Sequence, residues 1–139
     1  EGLQDILYLG NLDSKRDWGY APEYVRGMWI MLQQSKADDY VLATGENHSV
    51  REFVELSFKF LGISIEWEGE GEEEKGINRE TGKIIVAVDK KYYRPTEVDL
   101  LLGNPEKARK KLGWKSSCSF EKLVEIMVKS DWERIKKRI

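Results

Sequence analysis

Apolar residues recur at helical spacing in four stretches of the chain and at strand spacing in four others. Ala21, Tyr24, Val25, Met28, Trp29 and Leu32 hold a 3.6-residue period, which predicts a helix opened by Tyr20-Ala21-Pro22-Glu23 and closed near Gln33 or Gln34, with that face as core. Proline in the first turn has no donor to lose, and Glu23 suits the positive end of the helix dipole. Ser49-Val50-Arg51-Glu52 has the form of a capping box. Val50, Phe53, Val54, Phe58 and Leu61 line the helix behind it, and Gly62 ends it. Asn104-Pro105-Glu106 starts a short helix that stops at Gly113-Trp114. Ser119 caps the last helix, whose stripe runs from Phe120 through Leu123, Val124, Met127 and Trp132 to Ile135.

The strand signals are shorter. Residues 6–9 read as a strand ended by Gly10-Asn11, and residues 39–44 form a nearly continuous apolar run before Gly45, the pattern of a strand buried on both faces. Residues 63–68 alternate strictly, as a strand with one wet face does, and residues 83–89 are rich in β-branched side chains. Between those two strands lie Gly69, Gly71 and a run of glutamates. The GxGxxG spacing fails because Glu74 stands at the third glycine, and the alternating Asp/Asn ligands of a calcium loop are missing, so residues 69–76 read as a solvated, mobile hairpin or excursion loop. The whole predicts an α/β fold of mixed helices and short strands, a single lobe over residues 1–139 with no repeat and no linker.

Composition narrows the function classes. With 23 basic and 25 acidic residues the net charge is −2, so no global field recruits nucleic acid or a membrane surface. The basic residues that crowd the chain from Lys107 onward are interleaved with acids at helical spacing, as on a solvated helix face. A lone cysteine, Cys118, excludes an internal disulfide, fits a reducing compartment and reads as inert. No apolar run nears the roughly 18 to 20 residues that cross a bilayer, and a cytoplasmic location is expected. The lone His48 has no second histidine or cysteine at ligand spacing, which argues against a metal. The chain begins at Glu1 and enters an apolar run almost at once, as a piece of a longer protein does.

The candidate chemistry sits in two polar segments. In Tyr92-Tyr93-Arg94-Pro95-Thr96-Glu97-Val98-Asp99, proline holds the residue before it extended, so Arg94 is carried on a stiff backbone. Its guanidinium fork fits phosphate oxygens, and Glu97 is an acceptor suited to the two hydroxyls of a ribose. The same pair also fits an exposed ion pair in a turn. In the loop of residues 12–19, Lys15 and Arg16 are the possible anion contacts. No glycine-rich turn links a strand to a helix, no tyrosine is followed four residues later by lysine, and one histidine serves no triad. The polypeptide reads as a binding half without a reaction centre.

Leu9-Gly10-Asn11-Leu12-Asp13-Ser14-Lys15-Arg16-Asp17-Trp18-Gly19, Ala43-Thr44-Gly45, Ser49-Val50-Arg51-Glu52-Phe53-Val54, the Arg94-Pro95-Thr96-Glu97-Val98-Asp99 block and Lys111-Leu112-Gly113-Trp114-Lys115 together resemble the carboxy-terminal part of the GDP-mannose 4,6-dehydratases. These are extended short-chain dehydrogenase/reductases. The resemblance implies a two-lobed parent. A Rossmann lobe, missing here, would hold NADP and the catalytic groups, and the present lobe would close over GDP-mannose. It further implies a lyase that makes GDP-4-keto-6-deoxymannose for GDP-fucose synthesis, with hydride passing from sugar C4 to NADP and back to C6 around a dehydration. It places Arg16 and Arg94 on the diphosphate and Glu97 on the ribose, and makes a homo-oligomeric parent the expectation. Two positions depart from the pattern: Tyr20 stands where the family usually has histidine, and Pro22 is uncommon there. The other readings are the substrate lobe of a different nucleotide-sugar dehydratase or epimerase, and a non-enzymatic interaction domain.

Overall fold

The computed structural model describes residues 4–94 and 102–137. In chain order the elements are β1 (Leu7–Leu9), β2 (Lys15–Arg16), α1 (Ala21–Leu32), β3 (His48–Ser49), α2 (Val50–Phe60), β4 (Ile65–Glu68), β5 (Lys75–Asn78), β6 (Ile84–Val88), α3 (Glu106–Leu112) and α4 (Phe120–Lys136). They fall into two compact units, Glu1–Ser14 with Ser49–Asp99, and Lys15–His48 with Leu100–Ile139.

The first unit is a four-stranded sheet in the order β1-β6-β5-β4, together with α2. β1 runs parallel to β6, with Leu7 opposite Val86, and the β6-β5 and β5-β4 pairs are antiparallel. Val86 is 0 % exposed, the centre of this core. The capping box forms as the sequence indicates: the Ser49 hydroxyl accepts the Glu52 N–H at 3.1 Å, and the Ser49 N–H donates to the Glu52 carboxylate at 2.6 Å. Each bond satisfies a donor that the helix start would otherwise leave open.

The acidic segment departs from its expected solvated character. Gly71–Glu73 is a 3-10 turn, β5 begins at Lys75, and Glu74 between them is only 8 % exposed. Its carboxylate takes both arms of the Arg51 guanidinium, which also reaches Asp13 at 2.9 Å and lies 4.8 Å from the centre of the Trp67 ring. Counting glutamates along the segment hid this, because one carboxylate of the run meets a cation from the first turn of α2 and is neutralised inside the unit.

The second unit is helical, and aromatic side chains with polar tips organise it. Trp114 is buried, sits edge-on to Tyr24 at 5.5 Å and donates its indole N–H to the Glu23 carbonyl at 2.8 Å. Phe120, Leu123 and Val124 form the buried face of α4, and the Ser119 hydroxyl accepts the Lys122 N–H as its cap. His48 stacks on Phe120 at 3.9 Å, while its carbonyl accepts the Trp18 indole N–H. Asn104 accepts the Glu106 N–H at 3.0 Å at the start of α3.

Two expectations for this unit are corrected. Residues 39–44 form no ladder among the described residues; Val41 is exposed, and the Thr44 N–H donates to the Asp17 side chain rather than to a neighbouring strand. An apolar run specifies extended backbone, but a ladder also needs a partner strand. The α1 stripe is not core in this chain either: Val25, Met28, Trp29 and Leu32 are exposed, and the buried position of the helix is Gly27. Helical period identifies an apolar face without saying what covers it.

Candidate functional site

Asp17 is the residue on which the local structure of the second unit closes. One of its carboxylate oxygens accepts the Thr44 N–H at 3.0 Å and the Thr44 hydroxyl at 2.8 Å, and the other accepts the Gly45 N–H at 3.0 Å. Gly45 turns with φ +86°, a left-handed conformation that a side chain disfavours. The turn is held from its other side by Arg109, which donates to the Thr44 carbonyl at 3.1 Å. Tyr24, from the first turns of α1, lines the same cleft as this carboxylate; burial first, and the Asp17 charge second, push its phenol above the ordinary value.

Around this anchor lies a cleft of about 400 Å³ lined by Arg16, Asp17, Tyr24, Val41, Leu42, Ala43, Leu102 and Gly103. Gly103 is required by closeness: a Cβ there would run into the Ala43 side chain. A second hollow of about 490 Å³ shares Asp17 and Tyr24 and is walled by Trp18, Gly19, Ala21, Val25 and Met28. The first cleft thus has apolar walls, one cation and one carboxylate already engaged by backbone donors. Such a site suits a ligand with an anionic group and a flat or apolar body.

Of the residues expected from the sequence, Arg16 lines this cleft, with one arm donating to the Lys15 carbonyl at 2.7 Å. Arg94 belongs to the first unit and is exposed. It follows a turn in which the Tyr92 and Tyr93 N–H groups donate to the Asp89 carbonyl and the Lys91 N–H to the Asp89 side chain. Glu97 lies outside the described residues. Asp17, Thr44 and Tyr24 were not singled out by sequence reasoning, because no spacing rule couples residues 27 positions apart. The available signal was Thr44 between an apolar run and Gly45, and Asp17 beside Trp18-Gly19 at the end of the polar loop.

Other titratable groups of the unit are structural. Burial pushes the Glu23 carboxyl up, but hydrogen bonds from the Ser117 and Ser116 hydroxyls and from backbone N–H groups outweigh it and hold the group below its ordinary value. Burial pushes the Cys118 thiol up, with the Glu23 charge adding to it, so the thiolate is disfavoured. Among the described residues no three His, Cys, Asp or Glu side chains are grouped to hold a metal ion, and no helix is long and apolar enough to cross a membrane.

Known proteins resemble this chain over most of its length. The family model for GDP-mannose 4,6 dehydratase matches residues 1–127. The GDP-mannose 4,6 dehydratase of Dictyostelium discoideum is 61 % identical over 135 residues, which is 97 % of this chain and 38 % of the relative. The human protein of that name is 56 % identical over 132 residues, 95 % of this chain and 36 % of the relative. The chain therefore spans under two fifths of the length of these relatives. Among solved structures, RMD from Pseudomonas aeruginosa complexed with NADPH superposes with a TM-score of 0.70 at 20 % identity, covering 96 % of this chain and 38 % of that one. UDP-glucose 4-epimerase from Bifidobacterium longum in complex with NAD+ and UDP gives 0.68 at 18 % identity, over 95 % of this chain and 36 % of that one. At such identities the two structures speak for the fold alone, a mixed α/β piece of a longer chain. The family model and the sequence relatives together go further, and on them this chain belongs to the GDP-mannose 4,6-dehydratase family.

Proposed function

We propose that the chain is the substrate-binding lobe of an NADP-dependent, homo-oligomeric and cytoplasmic GDP-mannose 4,6-dehydratase, and that it contributes grip on the nucleotide rather than reaction chemistry. In this reading Arg16 and Arg94 neutralise the diphosphate of GDP-mannose and Glu97 accepts from the ribose hydroxyls. The observation that carries it is Arg16 at the lip of an apolar cleft, in a chain that the family model matches over residues 1–127. A guanidinium fork beside apolar walls serves a nucleoside diphosphate, whose phosphates need cations and whose base needs flat apolar contact.

The described residues do not fit NADP. The start of α2 is already satisfied by its own Ser49-Glu52 box, and the glycine-rich positions Gly69 and Gly71 are flanked by Glu70, Glu72 and Glu73, which repel a pyrophosphate. The cofactor and the groups that act on the sugar are assigned to the remaining length of the parent.

The test is the Michaelis constant for GDP-mannose in the full-length parent. A charge-assisted hydrogen bond contributes about 1.5 to 3 kcal/mol, so Arg94→Ala and Arg16→Ala should each raise KM by roughly 10- to 150-fold. An unchanged KM in either variant removes that arginine from the site. The 139-residue chain alone should show no dehydration of GDP-mannose.

A further inference from the structure

We propose that Asp17 is a positioning residue for substrate binding: it fastens the loop that carries Arg16 onto the Thr44-Gly45 turn, so that the guanidinium is already in place at the cleft before the nucleotide arrives. The inference rests on the reading of Arg16 given above and deepens it.

Three donors from two consecutive residues converge on this one carboxylate, and both of its oxygens are engaged. The acceptor and the donors come from segments 27 and 28 residues apart in sequence, so the contact fixes one loop against another rather than closing a local turn. The Thr44 hydroxyl is itself locked, accepting the Glu46 N–H at 3.1 Å while donating to Asp17. Arg109 holds the far side of the turn, donating to the Thr44 carbonyl. Arg16 is one peptide bond from this anchor and lines the same cleft as Ala43, the neighbour of Thr44. A long, rotamer-rich cation on an unfastened loop loses affinity to the cost of ordering, whereas one next to a multiply bonded anchor does not. Asp17 touches no reacting atom in this scheme and acts only through Arg16.

The experiment is a double-mutant cycle in the full-length parent, read as KM and kcat for GDP-mannose, with thermal unfolding as the control for folding. Asp17→Asn presents an amide N–H₂ to backbone donors where an oxygen stood; it should raise KM about tenfold while kcat stays within about twofold. In the Arg16→Ala background the same change should move KM by less than about twofold, since nothing is left to position. Thr44→Val keeps both backbone bonds to Asp17 and removes the hydroxyl's bonds to Asp17 and to the Glu46 N–H; it should raise KM about threefold with the same dependence on Arg16, and it decides the matter if Asp17→Asn does not fold. A tenfold effect of Asp17→Asn that persists without Arg16, or no effect on KM in the presence of Arg16, overturns the inference and leaves the substrate reading standing. An unchanged KM in Arg16→Ala alone overturns both.

Discussion

The two units satisfy their polar groups in opposite ways. In the first, a charged pair is taken inside: Glu74 is 8 % exposed and faces the Arg51 guanidinium, which in turn joins α2 to Asp13 and stacks on Trp67. In the second, Asp17 and Glu23 are each satisfied by neutral hydroxyl and backbone donors, and a whole helical face of apolar side chains stays exposed. The first unit is built on a four-stranded sheet with the fully buried Val86 at its centre, and Tyr8, Phe60 and Leu61 stay exposed on it. The second keeps an extended run, residues 39–44, outside any ladder among the described residues, and that run lines the candidate cleft. The difference teaches where uncommitted surface lies: the second unit leaves the α1 face and the run at 39–44 open to meet something else, whereas the first unit takes its charged pair inside and keeps Arg94 exposed.

Breaking the first unit should give the largest effect. Arg51→Ala leaves the Glu74 carboxylate buried without its cation, and removing one partner of a buried pair costs about 3 to 5 kcal/mol. Because the Arg51 side chain keeps 23 % exposure, the lower end of that range is expected, about 3 kcal/mol, by urea unfolding at neutral pH. Arg51→Lys should recover only part of it, since an ammonium cannot grip both carboxylate oxygens and Asp13 at once. A loss under about 1 kcal/mol would show that the pair is solvated and that the two units do not differ in the way described.

A smaller effect, with a pH signature, belongs to Glu23 in the second unit. Its carboxylate accepts from Ser116, Ser117 and the Cys118 N–H, and these bonds hold it below its ordinary value of 4.5. A carboxyl depressed in the folded chain contributes stability that is present above its unfolded value and is lost as pH falls through its folded value. The gap between wild type and Glu23→Gln should therefore be widest near neutral pH and shrink as the pH drops below 4.5, because the protonated carboxyl then resembles the amide. A gap that stays constant through that window would mean that the hydroxyls do not distinguish the charged form.

Much of this contrast could be read from the residues, and the part that could not has a common cause. The capping box at Ser49 and Glu52, the Ser119 cap, and the helices themselves are local: their partners lie three or four residues away, within reach of a pattern. The strand at Leu7–Leu9 was legible as a short apolar run ended by Gly10-Asn11, and those at Ile65–Glu68 and Ile84–Val88 from alternation and β-branched content. What escaped were partners far apart in the chain, Arg51 with Glu74 and Asp17 with Thr44, since neither composition nor period carries information across 23 or 27 residues. The run at 39–44 and the face of α1 were misread for a related reason: apolarity says that a surface wants cover, not that this chain supplies it. For the site, the polar loop already offered Lys15 and Arg16 as anion contacts and the family resemblance placed Arg16 on the diphosphate, while the anchor beside it emerged only from the hydrogen bonds.

The smallest expected effect tests the exposed face directly. Leu32 is 82 % exposed and Trp29 62 % exposed on α1, and lysine is as good a helix former as leucine. In this chain, Leu32→Lys removes little buried area and no hydrogen bond, so its unfolding free energy should change by less than about 0.5 kcal/mol, and Trp29→Lys by little more. Both changes should also reduce self-association, because an apolar patch on a helix drives contact between copies. The comparison sharpens if the same substitutions are made in the full-length parent, where a cost of about 2 to 4 kcal/mol is expected should the remaining length of the protein cover this face. A large cost in the short chain would mean that α1 is already packed there, and the openness assigned to the second unit would be lost. Equal, negligible costs in both forms would keep the face exposed throughout, and the uncommitted surface would then serve contact with another molecule rather than completion of the fold.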